Sequence, residues 1–265
     1  MNNFYMQLYY NIYTFRVMLS RETIRIKNSP SSIIGNILQA SILWLIIGSG
    51  FSDTFKIQGS NSITYLSFFY PGILLMIILF NSISSTITII EDRQSGFLQG
   101  ILVGPGSRTS LAIGKLVATS MTSLLQSVLF FPLIFITEIN TIQINFCTTI
   151  IIILLASFSL SSMSFIMAWI CESSSSYHAL MSIILIPLWV LSGSMFPANN
   201  GWISKIVVIN PIAWITASLR ATLNDGIAPL GSINKSLAFN TSFTLLLIFT
   251  FIIIIIAIIT CNKLR

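Results

Sequence analysis

Two long charge-free stretches, from Ile57 to Ile90 and from Leu116 to Thr137, flank a short polar island, and this alternation decides what the chain can become. The island reads Glu91-Asp92-Arg93-Gln94-Ser95-Gly96-Phe97-Leu98-Gln99-Gly100-Ile101-Leu102-Val103-Gly104-Pro105-Gly106-Ser107-Arg108. Each flanking stretch reaches the roughly 20 apolar residues needed to cross a hydrocarbon core of about 30 Å. A charged, glycine-punctuated loop cannot lie in that core, where each unpaired charge or backbone group costs several kcal/mol. It sits in water beside a membrane, where a soluble partner can grip it, and reads as a contact surface rather than an active site. Composition agrees: 8% of the residues are charged and 54% hydrophobic, against about 25% charged in soluble domains.

The remaining composition narrows the function classes. Cys147, Cys171 and Cys261 are scattered and odd in number, which indicates neither a disulfide framework nor a metal site. The net charge of +6 is spread thinly, and membrane orientation explains it better than nucleic-acid binding. Arg16, Arg21, Arg25 and Lys27 precede the first apolar span, and no short apolar core with a small-residue cleavage site is visible. The first span is therefore expected to stay in the mature protein.

Along the chain, residues 3–27 place Phe4, Leu8, Ile12, Phe15, Leu19 and Ile26 at helical spacing, with Gln7, Thr14, Arg21 and Arg25 on another face. This predicts an interfacial helix. Pro30, suited to a first helical turn, opens a span over 32–50. Further spans are expected over 65–90, 109–136, 145–171, 178–196 and 242–261. Within 197–240, two apolar stretches around Asn210-Pro211 read as external re-entrant half-helices. The expected fold is an all-α polytopic membrane protein: one transmembrane domain of six helices over 1–265, with the interfacial helix at its start. Six spans put both termini on one side. That side, which also holds the Glu91–Arg108 loop, carries nine of the thirteen Lys and Arg residues, so it faces the cytoplasm or its organellar equivalent.

Catalytic signals fail one by one. Gly114-Lys115 is a chance match to a phosphate-binding loop, with Thr109 where the first glycine belongs and Leu116 in place of Ser or Thr. His178 is the single histidine and reads as a helix-end anchor. Ionisable residues fall near span ends, with Lys115 the deepest and able to snorkel outward. An ion-coupled carrier is disfavoured, so uphill movement needs energy from another subunit.

Two motifs then converge. Asp92-Arg93-Gln94-Ser95-Gly96-Phe97-Leu98, followed by Pro105, Arg108 and Gly114-Lys115, resembles the cytoplasmic loop between spans two and three of ABC-2 type transporter permeases. Ser192-Gly193-Ser194-Met195-Phe196-Pro197, then Asn210-Pro211 and Arg220, is similar to that family's segment after span five. Gln94 and Gln99 stand where many members are acidic, and Gly104 and Gly106 loosen the turn around Pro105.

The resemblance covers nearly the whole chain and implies an ABC-2, type V exporter-like fold. It implies a membrane subunit without its own ATPase site, paired with a second copy. A separate nucleotide-binding subunit would supply ATP and Mg2+. The membrane would be a bacterial inner membrane or a plastid membrane. Glu91, Asp92, Arg93, Gly96, Phe97, Leu98, Pro105 and Arg108 become candidates for coupling to the ATPase. Glu91 and Asp92 are expected to open a short helix whose positive N-terminal dipole favours them. At the outer motif, Phe196 and Pro197 join Asn210 and Pro211 as a candidate external gate. Asn81, Ser84, Ser85 and Thr88 either line a substrate route at the dimer interface or serve helix packing. Two alternatives stay open: an ATP-independent polytopic translocation or assembly factor, and a haem-exporter-type permease.

Overall fold

In a computed structural model, residues 2–51, 64–137, 144–196, 202–223 and 239–263 are described, and among them the chain is helical, without strands. The elements are α1 (Asn2–Asn28), α2 (Pro30–Gly50), α3 (Tyr65–Thr86), α4 (Thr88–Gln94), α5 (Phe97–Val103), α6 (Arg108–Phe130), α7 (Phe146–Ile170), α8 (Ser174–Val190), α9 (Trp202–Ile209), α10 (Pro211–Leu223) and α11 (Phe239–Lys263). A 3-10 turn over Phe131–Ile136 extends α6. Helix starts follow local chemistry. Ser107, Asn145 and Ser173 occupy the N-caps of α6, α7 and α8, and each side chain accepts a backbone N–H three residues on.

Six spans are expected, and among the described residues five helices reach the length and apolarity to cross a membrane: α2, α3 with α4, α6 with its 3-10 turn, α7 and α11. The expected fifth span, α8, has 17 residues and extends about 25 Å at 1.5 Å per residue, short of a core of about 30 Å. The apolar pattern carries that helix on to Phe196, but a turn over 191–196 with Gly193 at φ 74° ends it sooner. Ser192 and Ser194 donate to the Trp189 carbonyl there, satisfying the helix end.

The centre of the bundle is α3, which is buried over 78% of its apolar window against 17% for α2 and for α11. It packs on α2, α6, α7 and α10. Between helices in lipid there is little hydrophobic driving force, so shape and hydrogen bonds hold them. Trp44, Tyr70 and Phe130 interlock edge-on and stacked, with centroids 5.4 to 6.1 Å apart. Trp44 donates to the Leu66 carbonyl and Tyr70 to the Phe131 carbonyl. On α7, Ser157, Ser161 and Ser162 are buried, and their small side chains permit close approach of neighbouring helices.

The N-terminal helix does more than lie beside the bundle. Along α1, Asn11 accepts from the Ser107 N–H at 2.9 Å, and Gly114 leaves room for Phe15 and Met18. Farther on, Glu22 pairs with Lys115. Thus α1 runs alongside α6 in the same direction.

Candidate functional site

The polar island folds as a hinged pair of short helices. After Ile87, α4 continues the path of α3 into the island, carrying Glu91 and Asp92 within it rather than at the start of the next helix. The expected acidic opening of the short helix is therefore corrected. That helix is α5, and it starts at Phe97 after Gly96, whose φ of 77° makes the break. Burial of Asp92 explains the difference, because the carboxylate is needed inside the protein. It accepts both terminal nitrogens of Arg21 from α1, a two-pronged ion pair. The hydrogen-bonded carboxylate pushes the Arg21 guanidinium further above its ordinary range, keeping it charged. Arg21 also lies 4.2 Å from the Phe97 ring centroid.

Arg93 points the other way. It donates to the carbonyls of Cys171 and Trp169, both at 2.9 Å, closing the C-terminal end of α7. The island is thereby clipped to α1 on one side and α7 on the other. Leu98 is buried at 3% exposure, whereas Phe97 is 41% and Val103 89% exposed. Pro105 is exposed, Arg108 half-buried, and Glu91 exposed. Two recesses flank α5. One of about 540 Å3 is lined by Arg93, Leu98, Leu102, Trp169 and Glu172. The other, about 270 Å3, is apolar and runs between Tyr10, Tyr13, Val17, Ile101 and Pro105. The arrangement offers a protruding ridge, with Phe97, Gln99 and Val103 exposed, between two grooves.

The outer motif forms a second cluster. Phe196 is half exposed, its ring centroid 6.2 Å from that of Phe51. Pro197 lies outside the described residues. Asn210 donates to the Leu188 carbonyl at 2.6 Å and accepts the Ile212 N–H at 2.9 Å, capping α10 just before Pro211. Gly72 is needed where α3 meets the turn, since a Cβ there would come within 2.8 Å of Ser194 Cβ. Arg220 is 6% exposed and bonds the carbonyls of Gly193 and Ser194, with its guanidinium 4.1 Å from the Phe68 centroid. Trp189 and Tyr65 add bonds to the carbonyls of Gly72 and Met195.

Of the four residues weighed as route lining or packing, Asn81 and Thr88 sit inside the protomer at 5% and 2% exposure. Asn81 donates to Thr119, Thr122 and Ser123 of α6, and Thr88 accepts from Lys115 at 2.7 Å. Both side chains engage α6, and Asn81 also borders the cavity beside Ser84 and Ser85. Ser85 bonds Thr119, and Ser84 and Ser85 border a small cavity between α1, α2, α3 and α6. Lys115 does not snorkel. It is 2% exposed and paired with Glu22. Sequence reasoning missed Arg21, Glu22 and the buried role of Arg220. The signal was present in Arg21-Glu22, an adjacent cation and anion beside an apolar stripe. Among the described residues, no three His, Cys, Asp or Glu gather to hold a metal ion.

The comparisons agree with this architecture. The family model described as ABC-2 type transporter matches residues 13–224. A protein of Cyanophora paradoxa named "Putative transport permease ycf38" is 28% identical over 216 residues, covering 77% of this chain and 72% of its own length. Proteins of the same name from Pyropia yezoensis and Porphyra purpurea are 22% and 23% identical, each covering 79% of this chain and 73% of their own length. With the family model matched from within α1 through α10, the chain belongs to the ABC-2 type transporter family of membrane permeases.

Proposed function

We infer that this chain is the membrane-spanning subunit of a dimeric exporter driven by a separate ATP-hydrolysing subunit, which binds the ATP and Mg2+. The observation that carries the reading is the folded island: α5 presents an exposed Phe97–Val103 ridge just past the Gly96 break, and α4 before it is clipped to α1 through Asp92 and to α7 through Arg93. Such a ridge suits a groove on a soluble partner, and the clips transmit its displacement. Closure of the partner around ATP pushes α5, and α4 carries the movement into α3 while Arg93 carries it into α7. The excess of cationic residues on the island's side supports a cytoplasmic or stromal placement of that side and of both termini. The substrate route lies between two copies, with Phe196, Pro197, Asn210 and Pro211 forming the outer gate. The relatives' designation as transport permeases supports transport.

The test is purification of the chain from its native membrane in mild detergent, with mass spectrometry of what accompanies it. A nucleotide-binding subunit is expected in stoichiometric yield, and Val103→Glu is expected to lose it without changing the amount of folded permease. Val103 serves better than the buried Leu98, where an aspartate also disturbs packing. Recovery of secretory clients or cytochrome-assembly proteins with no ATPase would overturn the reading.

A further inference from the structure

Where α1 meets α2, a polar cavity of about 110 Å3 opens that the coupling ridge does not use. Its floor belongs to α3 and α6. Gln126, 1% exposed, donates to Asn81 Oδ1 at 3.0 Å, while its own Oε1 has no hydrogen-bond partner. A buried amide oxygen left without a donor is destabilising, so a hydroxyl-bearing group entering the cavity relieves it. The mouth has the opposite character. Arg25, Ser29 and Ser32 line it and are exposed. Ser29 is the N-cap of α2 yet makes no side-chain cap bond, which leaves the positive end of a long helix turned to the mouth. Glu22 is also in the wall, but Lys115 engages its carboxylate, so Arg25 sets the sign of the mouth.

Depth and surroundings identify the occupant. With 21 residues, α2 extends about 31 Å and matches the hydrocarbon thickness, which places its first turn at headgroup level. Above Ser32 on the same face of α2, at seven, eleven and fourteen residues on, Gln39, Leu43 and Ile46 join Ile42 and Ile47 in an apolar groove, a track that continues from the mouth. We propose that the cavity holds the headgroup of an anionic, hydroxyl-bearing phospholipid of the glycerol-phosphate type. The phosphodiester lies at Arg25 and the start of α2, a headgroup hydroxyl donates to Gln126 Oε1, and the acyl chains follow the α2 track. A soluble phosphate ester has the same polar chemistry but no use for the track.

The experiment uses the full chain in phosphatidylcholine nanodiscs titrated with phosphatidylglycerol and read by native mass spectrometry. One retained phosphatidylglycerol per chain is expected. Arg25→Gln should weaken retention about tenfold, the loss of one charge-assisted contact. Ser32→Phe, an exposed position that plugs the mouth without touching the core, should abolish it. Lys27→Gln, an exposed cation outside the cavity, should leave it unchanged, and phosphatidic acid, without the headgroup hydroxyl, should bind more weakly. Equal weakening by Arg25→Gln and Lys27→Gln would reduce the effect to diffuse surface attraction and overturn the proposal. Retention no greater than that of phosphatidylcholine, or displacement by glycerol 3-phosphate or inorganic phosphate, would overturn it as well.

Discussion

Lys115 and Glu22 are both buried, and their pairing joins α6 to α1 at a point largely shielded from water. Thr88 accepts a further Lys115 proton, which ties α4 into the same contact. A buried pair of this kind contributes little net stability over an apolar pair, yet breaking it by removing one member strands a charge. Lys115→Met alone should therefore cost about 3–5 kcal/mol, and adding Glu22→Leu should recover most of the loss. Unfolding of the detergent-purified chain, followed by intrinsic tryptophan fluorescence, reads both variants. Equal destabilisation of the single and double variants would show that the pair is not the reason α1 stays docked. The sequence shows why this pair escapes notice. Lys115 stands one turn or two inside an apolar run and its flexible stem suggests escape to the surface, while Glu22 lies far away in sequence. Only the parallel packing of α1 on α6 brings them together.

The elements divide by what fixes them. Spans and the Asn210-Pro211 break are written in local chemistry, so the sequence reading places most of them within a few residues, and the caps Ser107, Asn145 and Ser173 found at the helix starts are equally local. The start of α5 is decided by tertiary contacts instead. Asp92 serves Arg21 and Arg93 serves the end of α7, so the acidic pair belongs to α4 and Gly96 takes the break. The length of α8 escapes the sequence for a related reason: the apolar run continues, but Arg220, Tyr65 and Trp189 hold the turn after it. That turn is a rigid unit, and its Phe196 meets Phe51 at the end of α2. Cysteines at Phe51 and Phe196, with Cys147 replaced by serine, should be bridgeable. If the turn is the outer gate, the bridge should stop export while ATP hydrolysis by the assembled complex continues. Export at the uncrosslinked rate would remove the gate from this turn.

At the scale of the whole molecule, the exposed faces are not alike. On α2 the exposed face above its first turn is largely aliphatic, and on α11 Ile248, Phe251, Ile252 and Ile255 are exposed, a surface suited to lipid. The exposed side of α8 mixes Ile183 and Ile186 with Ser175, His178 and Ser182. Polar and ionisable groups within a membrane face a protein partner or water rather than hydrocarbon. If two copies pair as proposed, the buried α3 cannot line a route between them, and the mixed exposed face of α8 suits that place better than the aliphatic faces of α2 and α11. The shortness of α8 fits the same role, because a helix of 17 residues is better matched to a water-filled seam than to a full bilayer thickness. In a Cys147→Ser background, Ser182→Cys should give a covalent dimer with a short bismaleimide in native membranes, whereas Ile252→Cys on the lipid-facing α11 should remain monomeric. Cys171 and Cys261 are buried and leave little background. Cross-linking through Ile252 but not Ser182 would move the dimer interface to α11 and turn the polar face of α8 toward another partner.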